Sequence, residues 1–215
     1  MELSSYNGWL AYAQWRNEQQ AAIDLFSVEW TVPPAPRERL GQTLLLFPGL
    51  QNAHYILQSV LQWGPSHAGG GPYWSIANWY TDGTSANTQV SPCLRVEPGQ
   101  RLHSRMELLG QEGRDFSYKA SFEGYKTLDL TLNKVTELLW AFVVLETNGL
   151  GNALQYPAEY RTRIDAVRLN TGGQHTQPRW RPVQRYRGTA APQIVAGSCN
   201  TIDIIYPSEN AIPVK

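Results

Sequence analysis

The chain has 215 residues, and its 18 Lys and Arg residues balance its 18 Asp and Glu residues, so the formal net charge is zero. This balance gives no electrostatic reason to expect a nucleic acid or an anionic membrane surface as a partner. Eight Trp and eleven Tyr residues are many for this length, and they suit either a core or stacking platforms for sugars and peptides.

Segments that would direct the chain to a membrane or out of the cell are not visible in the sequence as it stands. Its first residues carry neither the basic start nor the apolar stretch of a secretory signal, which predicts a leaderless, cytoplasmic protein. No apolar run approaches the length that spans a bilayer, so membrane insertion is not expected.

The first half of the chain is predicted to form strands over residues 8–15, 26–32, 43–47, 55–63 and 73–80. In residues 26–32, apolar Phe26, Val28 and Trp30 alternate with polar side chains, as in a strand buried on one face. The apolar run 43–47 is typical of a central strand and is predicted to end at Pro48 and Gly49. A glycine-rich loop is expected over residues 64–72.

The second half continues the pattern, with strands predicted over residues 93–96, 102–109, 116–122, 128–132, 138–146, 164–169 and 202–206. Pro98-Gly99 marks a turn, and residues 102–122 read as a hairpin around Gly110–Gly113. Many short strands between Gly and Pro turns, without a convincing helix, predict one all-β domain over residues 1–215. We expect a two-sheet antiparallel β-sandwich.

The strand from Tyr55 to Gly64 places two uncharged amides in an apolar segment. Because side chains alternate along a strand, Gln58 and Gln62 share one face with Ile56 and Val60, and the opposite face reads as core. A buried glutamine needs hydrogen-bond partners, which either the protein or a ligand can supply. The face that bears Gln58 and Gln62 is therefore a candidate groove floor.

Other chemical motifs are weak. The four His residues are scattered without metal-ligand spacing, so neither a metal nor another cofactor is predicted. Cys93 and Cys199 are predicted to be unbonded thiols. Residues 177–187 interleave Arg with Trp and Tyr, which favours a solvated edge, although such a segment could also stack a base or hold an acidic ligand.

The order of these strands resembles that of the glutamic peptidases, or eqolisins, which are concanavalin-like β-sandwiches of the jelly-roll type. The similarity covers at least residues 7–169. It rests on short matches to the family's motifs: Asn7-Gly8-Trp9, Trp30-Thr31-Val32-Pro33, Gly49, Ile56-Leu57-Gln58, the Trp74–Tyr80 strand, Pro98-Gly99 and the Leu138–Glu146 strand.

The resemblance places Gln58 on the family's catalytic glutamine, which orients water and holds the oxyanion. It places Val143 on the catalytic Glu, and Pro48 and Asn78 on two further acidic positions. Glu146 is the nearest acid, but its alternation phase is opposite to that of Val143, so it is predicted to face away from Gln58.

Three functions follow as hypotheses. The first is a non-catalytic, lectin-like protein that binds a glycan or peptide, with Gln58, Gln62, Trp74, Asn78 and Trp140 on a concave face and with Gln58 and Trp140 on neighbouring strands. The second is an acid endopeptidase that uses Gln58 and Glu146. The third is a structural or assembly protein. The sequence leaves the oligomeric state open.

Overall fold

Two antiparallel sheets form the fold in the computed structural model, which describes residues 6–18, 21–185 and 191–207. The described strands are β1 Tyr6–Arg16, β2 Ile23–Thr31, β3 Thr43–Gln51, β4 Ile56–Ser66, β5 Gly69–Thr81, β6 Gln89–Val90, β7 Leu94–Arg95, β8 Arg101–Glu112, β9 Asp115–Phe122, β10 Leu130–Val135, β11 Trp140–Leu150, β12 Arg161–Thr171, β13 Gln174–Thr176, β14 Arg181–Gln184, β15 Gln193–Ser198 and β16 Thr201–Ile205. Three short 3₁₀-helices, Ser85–Asn87, Lys126–Leu128 and Ala153–Gln155, lie between strands.

The first sheet has the order β14-β1-β11-β3-β4-β5-β6, with β7 also paired to β5. The second sheet has the order β10-β9-β8-β2-β12-β16-β15, with β13 also paired to β12. The strand pairs are antiparallel. The predicted all-β, two-sheet antiparallel sandwich is therefore confirmed.

One large hydrophobic core lies between the sheets. It joins the inward faces of β4 and β11 to β2 and β9 through fully buried side chains such as Phe26, Leu57, Tyr118 and Val143. A second apolar cluster, which includes Phe47, Phe142 and Val144, covers the opposite face of the first sheet. We call this side, turned away from the second sheet, the outer face.

Several strand boundaries differ from the prediction. β3 continues through Pro48 and Gly49 to Gln51, because the partner β11 stays in register with it along its whole length. The predicted loop 64–72 is mostly strand, since β4 and β5 extend into a tight hairpin. The strands β6, β13 and β14 have too few residues for their periodicity to be recognised, and β15 was not predicted.

Two smaller observations bear on the sequence predictions. Cys93 and Cys199 are free and half-buried, as predicted for unbonded thiols. Within the described ranges, no helix has the length and apolar character that a membrane crossing requires.

Candidate active site

Gln58 lies on the outer face of the first sheet. On β4, Leu57 and Leu61 belong to the core between the sheets, whereas Ile56 and Val60 belong to the outer cluster. Gln58 has the same phase as Ile56 and Val60, so the predicted division of this strand into two faces is correct. Its side chain is only 5% exposed.

Glu146 lies on the same outer face. Along β11, Val143 is in the core between the sheets, while Phe142 and Val144 lie in the outer cluster. Glu146 is in phase with Phe142 and Val144, and it sits opposite Leu45, which in turn sits opposite Gln62. The prediction that Glu146 faces away from Gln58 was therefore wrong. It assumed that Val143 shares the face of Gln58, but Val143 points into the core, and Glu146, which has the opposite phase, lies on the outer face.

The carboxyl group of Glu146 is half-buried next to the indole ring of Trp9. Burial raises the pKa of Glu146, and a hydrogen bond with the Trp9 side chain lowers it in part. Trp9 is held by edge-to-face contacts with Phe142, at 5.3 Å between ring centroids, and with Phe47, at 6.0 Å. The acid is thus placed in a rigid aromatic setting that favours its protonated form.

Gln58 and Glu146 line one cleft of ≈ 380 Å³. Its walls also include Trp9 from β1, Gln51 from β3, Trp79 from β5 and the exposed rings of His54 and His67. The peptidase hypothesis paired Gln58 with Glu146, and both side chains line this cleft.

Three polar groups of this cleft have unused hydrogen-bonding capacity. The side-chain amide of Gln58 takes part in none of the hydrogen bonds among the described residues. The Oε1 atom of Gln51 and the Nε1 atom of Trp79 are buried without a partner. Buried polar groups are normally paired, so the cleft offers a ligand hydrogen-bonding groups that the described residues leave unused.

Asp82 gives the rim of the cleft a second, different carboxyl group. It is exposed, and hydrogen bonds from the side chains of Thr84 and Asn87 lower its pKa. The cleft therefore holds two carboxyl groups whose pKa values are shifted in opposite directions.

Gln62 has a structural role in the hairpin. Its side chain is fully buried, its Nε2 atom donates to the carbonyl oxygens of Gly64 (3.1 Å) and Gly69 (2.9 Å), and its Oε1 atom accepts from Ser66 Oγ (2.8 Å). These bonds use the amide to connect β4 to β5, so a ligand would have to displace them.

Trp74 and Asn78 point into the space between the sheets, not onto the outer face. Trp74 is 1% exposed and packs edge-to-face on Trp63, with ring centroids 5.5 Å apart. Asn78 is fully buried and bonds to groups of β4 and of the second sheet. Their assignment to a ligand groove is incompatible with this burial; the outer face of β5 carries Ala77 and Trp79 instead.

Trp140 lies on the outer face but away from Gln58. Its strand, β11, is separated from β4 by β3, so the predicted neighbouring strands were wrong, although the shared face is correct. The ring is half-buried, with the Arg16 guanidinium carbon 5.7 Å from its centroid. It lines a different cleft, which is described below.

Sequence reasoning missed Trp9, Gln51 and Trp79 as parts of the site. Trp9 carried a signal, since it stands in one of the motifs behind the glutamic peptidase resemblance. Trp79 lies opposite Gln58 on β5, and that pairing becomes known only with the register of the hairpin.

Comparisons with solved structures find proteins of similar fold. No family model matches the chain, and no curated protein matches it by sequence. Crystal structures of scytalido-glutamic peptidase, with a peptide-based transition-state analogue and with a transition-state analogue inhibitor, each match with a TM-score of 0.65 and 9% identity. SCP-B, a member of the eqolisin family bound to the tripeptide Ala-Ile-His, matches with a TM-score of 0.57 and 12% identity. Each match covers 94% of this chain and 100% of the other, so the fold is similar over nearly the full length.

Proposed function

We propose that this protein is an acid endopeptidase of the glutamic type, with Gln58 and Glu146 as its catalytic residues. The observation that carries the proposal is that both side chains line one cleft on the outer face of the first sheet. The similar fold of proteins crystallised with a peptide-based transition-state analogue or with a tripeptide supports a peptide as the ligand of this cleft.

Glu146 supplies the acid–base chemistry in this proposal. Its ionised carboxylate accepts a proton from a water molecule as the water oxygen attacks the peptide carbonyl carbon. The protonated carboxyl group then gives that proton to the leaving nitrogen as the C–N bond breaks. Burial raises the pKa of Glu146, which strengthens its carboxylate as the acceptor of the water proton.

Gln58 supplies the stabilisation of charge. Its amide N–H can donate a hydrogen bond to the carbonyl oxygen as that oxygen becomes negative, and its amide oxygen can accept from the attacking water. Since Gln58 is nearly buried and its side-chain amide makes no hydrogen bond to a described residue, that amide is available for both contacts.

The lectin-like hypothesis loses much of its support. Of the five residues proposed for a glycan groove, Gln62, Trp74 and Asn78 are buried in contacts with the protein itself. Trp140 contributes to another cleft and is covered on one face by Arg16. Only Gln58 remains in this cleft, which Glu146 also lines.

The test is cleavage of an unfolded protein substrate between about pH 2 and pH 7, the range over which a carboxyl group exchanges its proton. We expect cleavage by the unmodified protein, with a loss of about 10²- to 10⁴-fold in Glu146→Gln, which removes the acid–base group. Gln58→Ala removes the oxyanion donor and should cost about 10²- to 10³-fold.

Two matched controls lie outside the cleft. Glu137→Gln changes another half-buried acid whose pKa is raised by burial, and Gln89→Ala changes an exposed amide; both should retain activity. Cleavage that survives in both Gln58→Ala and Glu146→Gln would refute the assignment. Absence of cleavage, together with glycan binding that is lost in Gln58→Ala, would favour the lectin-like hypothesis.

A further inference from the structure

A second cleft lies on the outer face, beside the edge strand β14. It encloses ≈ 720 Å³, and its lining includes Gln14, Arg16, Glu18, Trp140, Arg179 and Arg181. We call it the arginine cleft, after Arg16, Arg179 and Arg181. Residues 177–187, which the sequence analysis left with several interpretations, contribute two of these arginines.

The arginine cleft has an excess of positive charge. All three guanidinium groups belong to exposed residues, and none of them forms an ion pair with a carboxylate of the described chain. Glu18 is the acid among the lining residues. Because the whole chain has no net charge, this local excess is a feature of the cleft and not of the general surface.

The arginine cleft faces the same way as the candidate active site. Arg181 on β14 pairs with Gln14 on β1, and Gln14 pairs with Phe142 on β11. Phe142 pairs with Gly49 on β3, and Gly49 pairs with Gln58 on β4. Residues that sit directly opposite in antiparallel strands point to the same face, so one row crosses the sheet from Arg181 to Gln58. Four strand spacings of about 4.8 Å separate its ends, which is about 19 Å.

The chemistry of the arginine cleft favours an acidic peptide over a nucleic acid. A guanidinium group binds a carboxylate through two parallel hydrogen bonds. Base recognition would need an open aromatic face, but the Arg16 guanidinium covers Trp140, and Trp15 packs against the core.

We propose that the arginine cleft binds an acidic side chain of the peptide substrate, about four to six residues from the bond held at Gln58. The spacing of four to six residues follows because an extended peptide advances about 3.3–3.6 Å per residue. The long Arg side chains reach toward the peptide, so its backbone spans less than the full distance between Gln58 and Arg181. This inference rests on the proposed peptidase function for its placement, but binding to the arginine cleft can be measured without catalysis.

The binding test uses the Glu146→Gln protein, so that the peptide is not cleaved. Two fluorescently labelled, extended 14-residue peptides are compared by anisotropy: one carries a pair of Asp residues near one end, and the other has Asn at both positions. We expect the Asp peptide to bind about tenfold more tightly at low salt, with the difference lost at high salt. The difference should also be lost in Arg179→Gln/Arg181→Gln.

The matched control is Arg114→Gln/Arg168→Gln, which removes the same charge from exposed positions, one in the turn between β8 and β9 and one on β12, and should keep the preference. Equal affinity for both peptides, or a preference that survives in Arg179→Gln/Arg181→Gln, would overturn the proposal. Tighter binding of a single-stranded oligonucleotide, with the same dependence on Arg179 and Arg181 but no peptide preference, would overturn it in favour of a nucleic acid site.

A second experiment locates the acidic residue in active protein. A single Asp is moved along a cleavable peptide on both sides of the scissile bond, and kcat/KM should peak at about four to six residues on one side. A flat profile with active enzyme would refute the inference while leaving the proposed peptidase intact. Failure of cleavage with a retained preference for Asp in the binding test would refute the peptidase and leave an acidic-peptide site.

Discussion

Asn78 offers a sharp test of the assignment of β5 to the inter-sheet core. Its Nδ2 atom donates to the carbonyl oxygens of Leu128 (2.7 Å) and Ala120 (3.3 Å), and its Oδ1 atom accepts from Ser59 Oγ (2.7 Å). The residue is fully buried, so water cannot replace these bonds. Asn78 therefore connects two strands of the first sheet to the second sheet.

The substitution Asn78→Ala leaves these three groups without their partner. A buried polar group without a partner costs about 1–3 kcal/mol. The bond to Leu128 is short and should count fully, whereas the one to Ala120 is long and the Ser59 hydroxyl can rotate. We expect a loss of about 2–4 kcal/mol in the free energy of unfolding, equivalent to a Tm lower by roughly 5–15 °C for a chain of this size.

Urea unfolding followed by tryptophan fluorescence measures this loss, with Asn133→Ala as the matched control because Asn133 is exposed on β10. A mutant whose stability stays within about 0.5 kcal/mol of the unmodified protein would refute the structural role. If such a mutant also lost ligand binding, Asn78 would again be a candidate ligand contact.

Three further outcomes are expected. Burial raises the pKa of Glu146, so the folded protein holds this proton to higher pH than the unfolded chain, and the contribution of Glu146 to stability falls as the pH rises through the folded pKa. Thermal melts across pH should therefore show Glu146→Gln to be more stable than the unmodified protein at neutral pH and equal to it near pH 3. Trp9→Phe removes the hydrogen bond that lowers the pKa of Glu146, so the acid limb of the pH–rate profile should move to higher pH, and an unmoved limb would contradict that bond's role. Gly70→Ala should destabilise the hairpin and lower the Tm, since φ is +95° and a Cβ would lie 2.3 Å from Gln62 Nε2, whereas Gly99→Ala, also at positive φ but with open space around it, should cost less.

Much of the fold could be predicted because its long strands carry clear signals. β2 alternates apolar and polar side chains. In β4, the alternation correctly assigns the core residues to one face and Gln58 to the other. Short strands such as β6 could not be recognised from periodicity, since two residues have no period to detect.

The face of β11 could not be read from its sequence for a physical reason. Both sides of this strand are covered, with Val143 and Leu145 in the inter-sheet core and Phe142 and Val144 in the outer cluster. A strand that is buried on both faces reads as one apolar run, so its periodicity does not tell which side an acid such as Glu146 occupies. β5 poses the same problem, because Trp74 and Trp79 lie on opposite faces.

The pairing of β1 with β11 also sets the order in which this cleft can form. Gln58 belongs to a local hairpin, β4–β5, whose strands adjoin in the sequence and can pair early. Trp9 and Glu146 sit opposite each other on strands from distant parts of the chain, and closing such a long loop costs entropy before any contact rewards it. We therefore expect the carboxyl group and its tryptophan to join the glutamine late in folding. A nascent chain would carry one residue of the proposed catalytic pair without the other, and the proposed peptidase activity would appear only after both sheets have formed.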